Sequence, residues 1–456
     1  TSTAGNGVNV SAALSGKNGI VLTGYAAASG SGVYLDGGLT IAGAGDIILS
    51  ARNAGTTANT YGLYASKPFS VANGNVIVQG ATLTGGVATA APNTNASGYT
   101  NGVYLTSTAS MAVTGDITIG GSATAGAGIF VTNSGTLIAY TASGNVTLTG
   151  TTASTTYAIS GDDAKITATN GAISATSSSG GIYFNKAWSA GTTFTATNVA
   201  NASTGFYTGS LGTLAAGTSI AITGYGPAAV RFGATVTAGT TLTVIGTATS
   251  GNAIEAATNA NLSAANAITL TGYTAAAGTG IWLDGTVNVT GGGDIILSAR
   301  NNGTTANTYG IYSSKAMTTA LGAVTLQGAS LTNAIATAAP GVAAYGYTYG
   351  VYLAAGISAT GDISMNAQAN ASYGAYFYNA GTAFTIITSA GNVQLTGAAS
   401  ANSAIYDGDA AVTATLGSIT AIGASTNGAA IYIGRAWRQL HLALWILWRP
   451  RPVAMR

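Results

Sequence analysis

The chain has 456 residues, among them 67 Gly, one His, no Cys, and only 13 basic and 11 acidic side chains. At 47% apolar and 5% charged, it is excluded from the classes of charged disordered tails, collagen triplets and disulfide scaffolds, and it can hold neither a thiolate metal site nor a cysteine nucleophile. Eight basic and eleven acidic residues precede Arg435, so the body is mildly acidic and offers no basic surface to nucleic acid.

From the amino end, short apolar-polar runs alternate with Gly, Asn and Asp corners. Such runs read as strands with one buried face. The first are GVYL at 32–35, LTIAG at 39–43, GDIILS at 45–50 and GLY at 62–64. After a longer loop expected near 84–100 come GVYL at 102–105, GDITIG at 115–120, GIF at 128–130 and GNVTLTG at 144–150. KITATNG at 165–171, GIYF at 181–184, GFY at 205–207 and ATVTAG at 234–239 continue the series. GIWL at 280–283, VNVTGG at 287–292, GDIILS at 293–298 and GIY at 310–312 follow. A second loop is expected near 332–348, and then GVYL at 350–353, GDISM at 361–365, VTATLG at 412–417 and AIYI at 430–433.

Three strand types thus recur in a unit of ~20–30 residues, the mark of a stacked repeat. A larger repeat overlies it. GDIILSARNAGTTANTYG at 45–62 returns at 293–310 with seventeen of eighteen residues identical, an offset of 248, and the match closes on KAW at 186–188 against RAW at 435–437. One unit cannot bury its apolar side alone, whereas stacked units form a continuous core. The expected fold is all-β: a right-handed parallel β-helix with about three strands per coil. It is expected to span 1–437 as one solenoid containing a tandem duplication of about 20–188 and 268–437.

Residues 438–456 match nothing upstream and carry Arg438, Arg449, Arg451, Arg456, His441, Trp445 and Trp448. A neighbouring frame can be written for Arg438–Trp448 in the repeat's Gly/Ser/Thr vocabulary, so the tail is read as a frame error or a truncated gene model. A cap over the open strand edge and a basic membrane-surface peptide are the rival readings. The longest apolar run, Leu442 to Trp448, is far short of the ~20 residues of a membrane helix. Thr1 opens without a signal-peptide pattern, and a mature protein or an internal fragment is expected.

Without His or Cys in the body, a Ser-His-Asp or Cys-His system and an imidazole metal site cannot be built there. Carboxylates remain as the plausible catalytic groups. Asp162-Asp163 and Asp407-Gly408-Asp409, at equivalent places in the two blocks, are the pair-like candidates for acid/base work. Both lie in Gly-rich corners, where Asp caps turns, and turn-making is the preferred reading. The same holds for Asp46, Asp116, Asp294 and Asp362, which each follow Gly, and for Asp36 and Asp284; a ladder of calcium ligands is the alternative. Tyr34, Tyr64, Tyr104, Tyr183, Tyr312 and Tyr352 are expected to stack in register. Their apolar neighbours favour an inward core stack over an outward aromatic strip. Thr193-Phe194-Thr195 and Thr413-Ala414-Thr415 read as outward strand surface. No catalytic, cofactor-binding or metal-binding residue is assigned.

The GDI-x-L and GNV-x-LTG strands, the GVYL elements and the Gly/Ala/Thr/Asn-rich filler resemble the β-helical passengers of filamentous-haemagglutinin-like exoproteins and related autotransporter adhesins. The resemblance covers about residues 1–437. It implies a Gram-negative origin, secretion to the cell surface, and a structural role in adhesion, aggregation or biofilm rather than catalysis. It also implies host or bacterial surface glycans and proteins as partners, and an outer-membrane translocator outside this chain. A polysaccharide-active β-helix enzyme using clustered Asp and a surface-layer or ice-binding protein are the alternatives.

Overall fold

The computed structural model describes the chain except residues 107, 155–156, 200–203, 440–444 and 449–456, with only the backbone of Trp445–Trp448. The chain divides into two compact units, Thr1–Gly226 and Pro227–Arg456. Each is an all-β parallel solenoid whose coils give one strand to each of three sheets, with no helix among the described residues. The parallel stacking and the three strands per coil agree with the sequence reading.

In the first unit, sheet I runs Val8–Val10, Ser31–Leu35, Tyr61–Ala65, Asn101–Thr106, Ile129–Thr132, Tyr157–Gly161, Gly181–Phe184 and Phe206–Thr208. Sheet II opens with Leu14–Gly16, Leu39–Ala44 and Phe69–Asn73, and sheet III with Ile20–Ala26, Ile47–Asn53 and Val76–Thr84. In the second unit, sheet I runs Val230–Phe232, Ile254–Ala256, Thr279–Leu283, Tyr309–Ser313, Tyr349–Leu353, Tyr373–Phe377, Ile405–Asp407 and Ile431–Ile433.

Period-2 alternation decides which side chains enter the core. Val33, Leu63, Val103 and Ile129 stand in register on successive rungs and are at most 1% exposed. Each such side chain contributes about 1.5–3 kcal/mol of burial, but only because the rungs above and below cover it. Glycine opens the sheet I strands because the corner brings neighbouring backbone into contact. A Cβ on Gly62 would stand 2.5 Å from the Gly102 carbonyl oxygen and 2.8 Å from Ser97 N.

In place of the loops expected near 84–100 and 332–348, each unit carries an antiparallel hairpin. Val76–Thr84 pairs with Val87–Ala91, and Val324–Thr332 with Ile335–Ala339. These are the antiparallel pairs among the described strands. The second hairpin lies back over an earlier rung, where Ala336 N donates to Thr247 Oγ1 at 2.8 Å. Its two-residue turn, Asn333-Ala334, has φ of 51° and 64°, against 57° and 81° for Gly85-Gly86 in the first. A hairpin turn with two positive φ values suits Gly, and Ala334 holds it at a steric cost of about 1 kcal/mol. Ala334→Gly is therefore expected to gain about 0.5 kcal/mol, after Gly's own entropic cost. Slower amide exchange in Val324–Thr332 would report the gain.

The reading of 438–456 as a frame error falls mostly outside the described residues. Within that tail, Arg438 and Gln439 belong to Trp437–Gln439, which pairs parallel with Ala410–Ala414 in sheet II. The Trp445–Trp448 backbone pairs parallel with Ile419–Ser425 in sheet III.

Candidate functional site

The tyrosines correct one expectation. In Ser31–Leu35, Val33 and Leu35 are fully buried and Tyr34 between them is half-exposed, so the ring points outward. Apolar neighbours suggested an inward stack, but alternation makes those neighbours face the opposite way. Tyr64, Tyr104, Tyr183, Tyr312 and Tyr352 sit likewise between buried residues.

Register turns these residues into columns. In the first unit Tyr34, Tyr64, Tyr104 and Phe130 follow rung by rung, and further along Tyr183 pairs with Tyr207. In the second unit Trp282, Tyr312, Tyr352, Tyr376, Tyr406 and Tyr432 form one column. Tyr309, Tyr349 and Tyr373 form a second beside it. Tyr34 and Tyr64 lie 4.7 Å apart at 4°, Trp282 and Tyr312 4.1 Å at 25°, and Tyr406 and Tyr432 4.8 Å at 9°. These pairs turn their faces to one another, whereas Tyr64 and Tyr104 meet edge-on at 75° and Tyr312 and Tyr352 are tilted at 57°. Each such pair contributes about 0.5–1 kcal/mol to the sheet. Burial, followed by the neighbouring Tyr312 and Tyr309, pushes the Tyr352 phenol up to about 12. Burial and then the Asp162 carboxylate, which accepts the Tyr183 hydroxyl at 3.2 Å, raise Tyr183 further still.

The candidate aspartates are held by protein donors. Asp163 Oδ2 accepts the backbone N–H groups of Asn133 (2.6 Å) and Gly135 (3.1 Å), and Lys186 Nζ stands 3.8 Å from its Oδ1. Asp409 repeats the device with Asn379 (2.7 Å), Gly381 (3.0 Å) and Arg435 (3.8 Å). Both carboxylates are buried and clamp the turn of the preceding coil. Asp162 Oδ1 accepts from Tyr183 and Asn185, Asp36 from Ser66, and Asp284 from Ser314 and the Trp282 indole.

At the corner leading into sheet III, Asp and Asn side chains hand hydrogen bonds from rung to rung. Asp46 Oδ1 accepts from Asn75 N, Asn75 Oδ1 from Asp116 N, Asp116 Oδ1 from Asn145 N, and Asn145 Oδ1 from Ala172 N. In the second unit Asp294 Oδ1 accepts from Ala323 N, where the chain breaks; it resumes with Asp362 to Asn392 N and Asn392 to Ser418 N. Ala323 occupies the place of Asn75. Ala323→Asn is expected to restore the missing link and gain about 1 kcal/mol. A denaturation midpoint no higher than that of the unaltered chain would refute it.

Asp407 is buried at the corner of sheets I and II, where Trp437 Nε1 (2.6 Å) and Ala410 N (2.7 Å) donate to it. Burial pushes its carboxyl above the usual range, and those two donors oppose the shift. A carboxyl raised in the folded state contributes stability that is complete below its unfolded value and is lost as the pH climbs through its folded one. The unaltered chain should therefore lose stability relative to Asp407→Asn as the pH rises above the ordinary carboxylate range. A difference between their denaturation midpoints that stays flat with pH would disprove this.

Among the described residues, no three His, Cys, Asp or Glu side chains come close enough together to share a metal ion. Thr195 and Thr413 face outward as expected from their strands. In comparisons with known proteins, no family model matches the chain and no curated protein matches it significantly. The aromatic columns, the acidic clamps and the Asx ladder thus stand on the geometry of this chain alone.

Proposed function

We propose that the chain is the structural and adhesive stalk or passenger of a secreted bacterial cell-surface protein. On this reading it lies outside the Gram-negative outer membrane and meets surface glycans or proteins by many weak contacts. The resemblance to filamentous-haemagglutinin-like and autotransporter passengers supports it, as does the employment of every acidic side chain in turn, ladder or ion-pair contacts. The observation that carries it is the outward aromatic columns. Successive rungs repeat an outward tyrosine along sheet I, with neighbouring rings at 27–57° to one another, and a repeated surface group multiplies a weak contact.

Beads coated with the purified chain provide the test, through binding to epithelial cells and bead-to-bead aggregation. Tyr312, Tyr352 and Tyr376 replaced together by Thr, a residue suited to strands, should lower both several-fold while the β signature in circular dichroism persists. Undiminished binding would count against the reading. Turnover of a uronate polymer that disappears in Asp163→Asn and Asp409→Asn would replace it with the enzyme alternative.

A further inference from the structure

The two units differ at one outward column of sheet III. In the second unit Tyr273, Arg300, Tyr345 and Gln368 stand in register. Arg300 lies 5.4 Å from the Tyr345 ring centroid, and its Nε donates to Asn302 Oδ1 at 2.6 Å. Asn302 in turn donates to the Tyr273 hydroxyl at 2.5 Å. The corresponding places in the first unit are Tyr25, Arg52, Ser97 and Ser122, with Ala54 for Asn302. The single mismatch in the near-identical stretch at 45–62 and 293–310 is this Ala54.

Three smaller side chains leave space. A cleft of about 280 Å³ opens against Arg52 and Ser97, with Thr56, Tyr99, Ser122 and Thr124 also on its walls. Arg52 is exposed and meets the Tyr25 ring at 5.8 Å, but no hydrogen bond or carboxylate holds it among the described residues. Its counterpart Arg300 has both an aromatic partner and an amide partner from its own chain.

We propose that this cleft binds a phenolic ring, seated against Arg52 as Tyr345 is seated against Arg300. The guanidinium attracts the π-face, and the hydroxyls of Ser97, Ser122 and Thr124 offer partners to the phenol oxygen. The volume suits a single substituted ring, at the small end of ligand pockets. Such a ring could come from a free phenolic compound or from a tyrosyl residue of another polypeptide. The inference does not rest on the adhesive reading, and either can fail without the other.

Calorimetric titration of the full chain tests it, with p-cresol in one arm and the peptide Gly-Gly-Tyr-Gly-Gly in the other. One site per chain is expected, and the tighter arm assigns the source of the ring. Arg52→Gln should weaken binding about tenfold, the scale of one cation–π contact. Ser97→Tyr, which copies the second unit, should abolish binding and raise Tm. Opening the second unit with Asn302→Ala, Tyr345→Ser and Gln368→Ser together should raise the stoichiometry from one site to two. Absence of binding in both arms would overturn the proposal, as would binding indifferent to Ser97→Tyr. Galacturonate bound through Arg52 in place of p-cresol would overturn it too, because a carboxylate rather than a ring would then be the recognised group.

Discussion

Trp188→Ala is expected to lower the unfolding free energy of the first unit by about 4 kcal/mol, within the range for emptying a packed aromatic site. Trp188 is 1% exposed and stacks on Phe184 at 4.2 Å and 11°. Its Nε1 donates to the Ala164 carbonyl at 3.0 Å, and Ile166 and Leu214 stand in register on the rungs either side. A stacked core relaxes poorly around a hole, because each rung is positioned by its neighbours. Trp437, the matching residue of the second block, is only half-buried and gives its indole N–H to Asp407. Trp437→Ala should cost about 2 kcal/mol, mainly through that charge-assisted hydrogen bond. Urea unfolding of the two variants beside the unaltered chain measures the difference; equal losses would mean that the covering rung does not govern the cost.

The second large effect is expected at Asp163. Asp163→Ala strips two backbone N–H groups, Asn133 and Gly135, of their acceptor and leaves Lys186 beside an empty place. Asn133 is partly exposed and Gly135 exposed, so water recovers part of the roughly 1–3 kcal/mol that each orphaned buried donor would cost, and a loss of about 2 kcal/mol is expected. Asp163→Asn keeps an oxygen for the two donors and gives up only the charge, for which a loss of about 1 kcal/mol is expected. Thermal unfolding should rank the unaltered chain above Asp163→Asn and Asp163→Ala last. Equal losses in the two variants would show that the ion pair, rather than the turn clamp, carries the energy.

The architecture was legible because its signal is local. In Ile47–Asn53 the residues Ile47, Leu49 and Ala51 are buried while Arg52 is exposed, and alternation alone specifies that. The same rule applied to GVYL places Tyr34 outside; attention to the hydrophobic neighbours, rather than to their parity, hid it. The first hairpin also had a signal, since Gly85-Gly86 lies between two alternating runs, whereas the second turns on Asn333-Ala334 and lacks that glycine pair. The partners of the aspartates had none. Asp163 reaches back to residues 133–135, and that span is set by coil length, which side-chain patterns do not fix. The cleft beside Arg52 was equally invisible, because it depends on which residues two rungs bring together.

The corner ladder has a direction. Asp46 offers its oxygen to the N–H of Asn75, which does the same for Asp116, which does so for Asn145. Every acceptor therefore belongs to the earlier coil and every donor to the later one. Each coil thus turns an acceptor toward the coil that follows and a backbone donor toward the coil that precedes, so the two ends of a run present opposite hydrogen-bonding faces at this corner. In the second unit Ala323 ends one such run, because its methyl group has no oxygen to offer the N–H of Asp362.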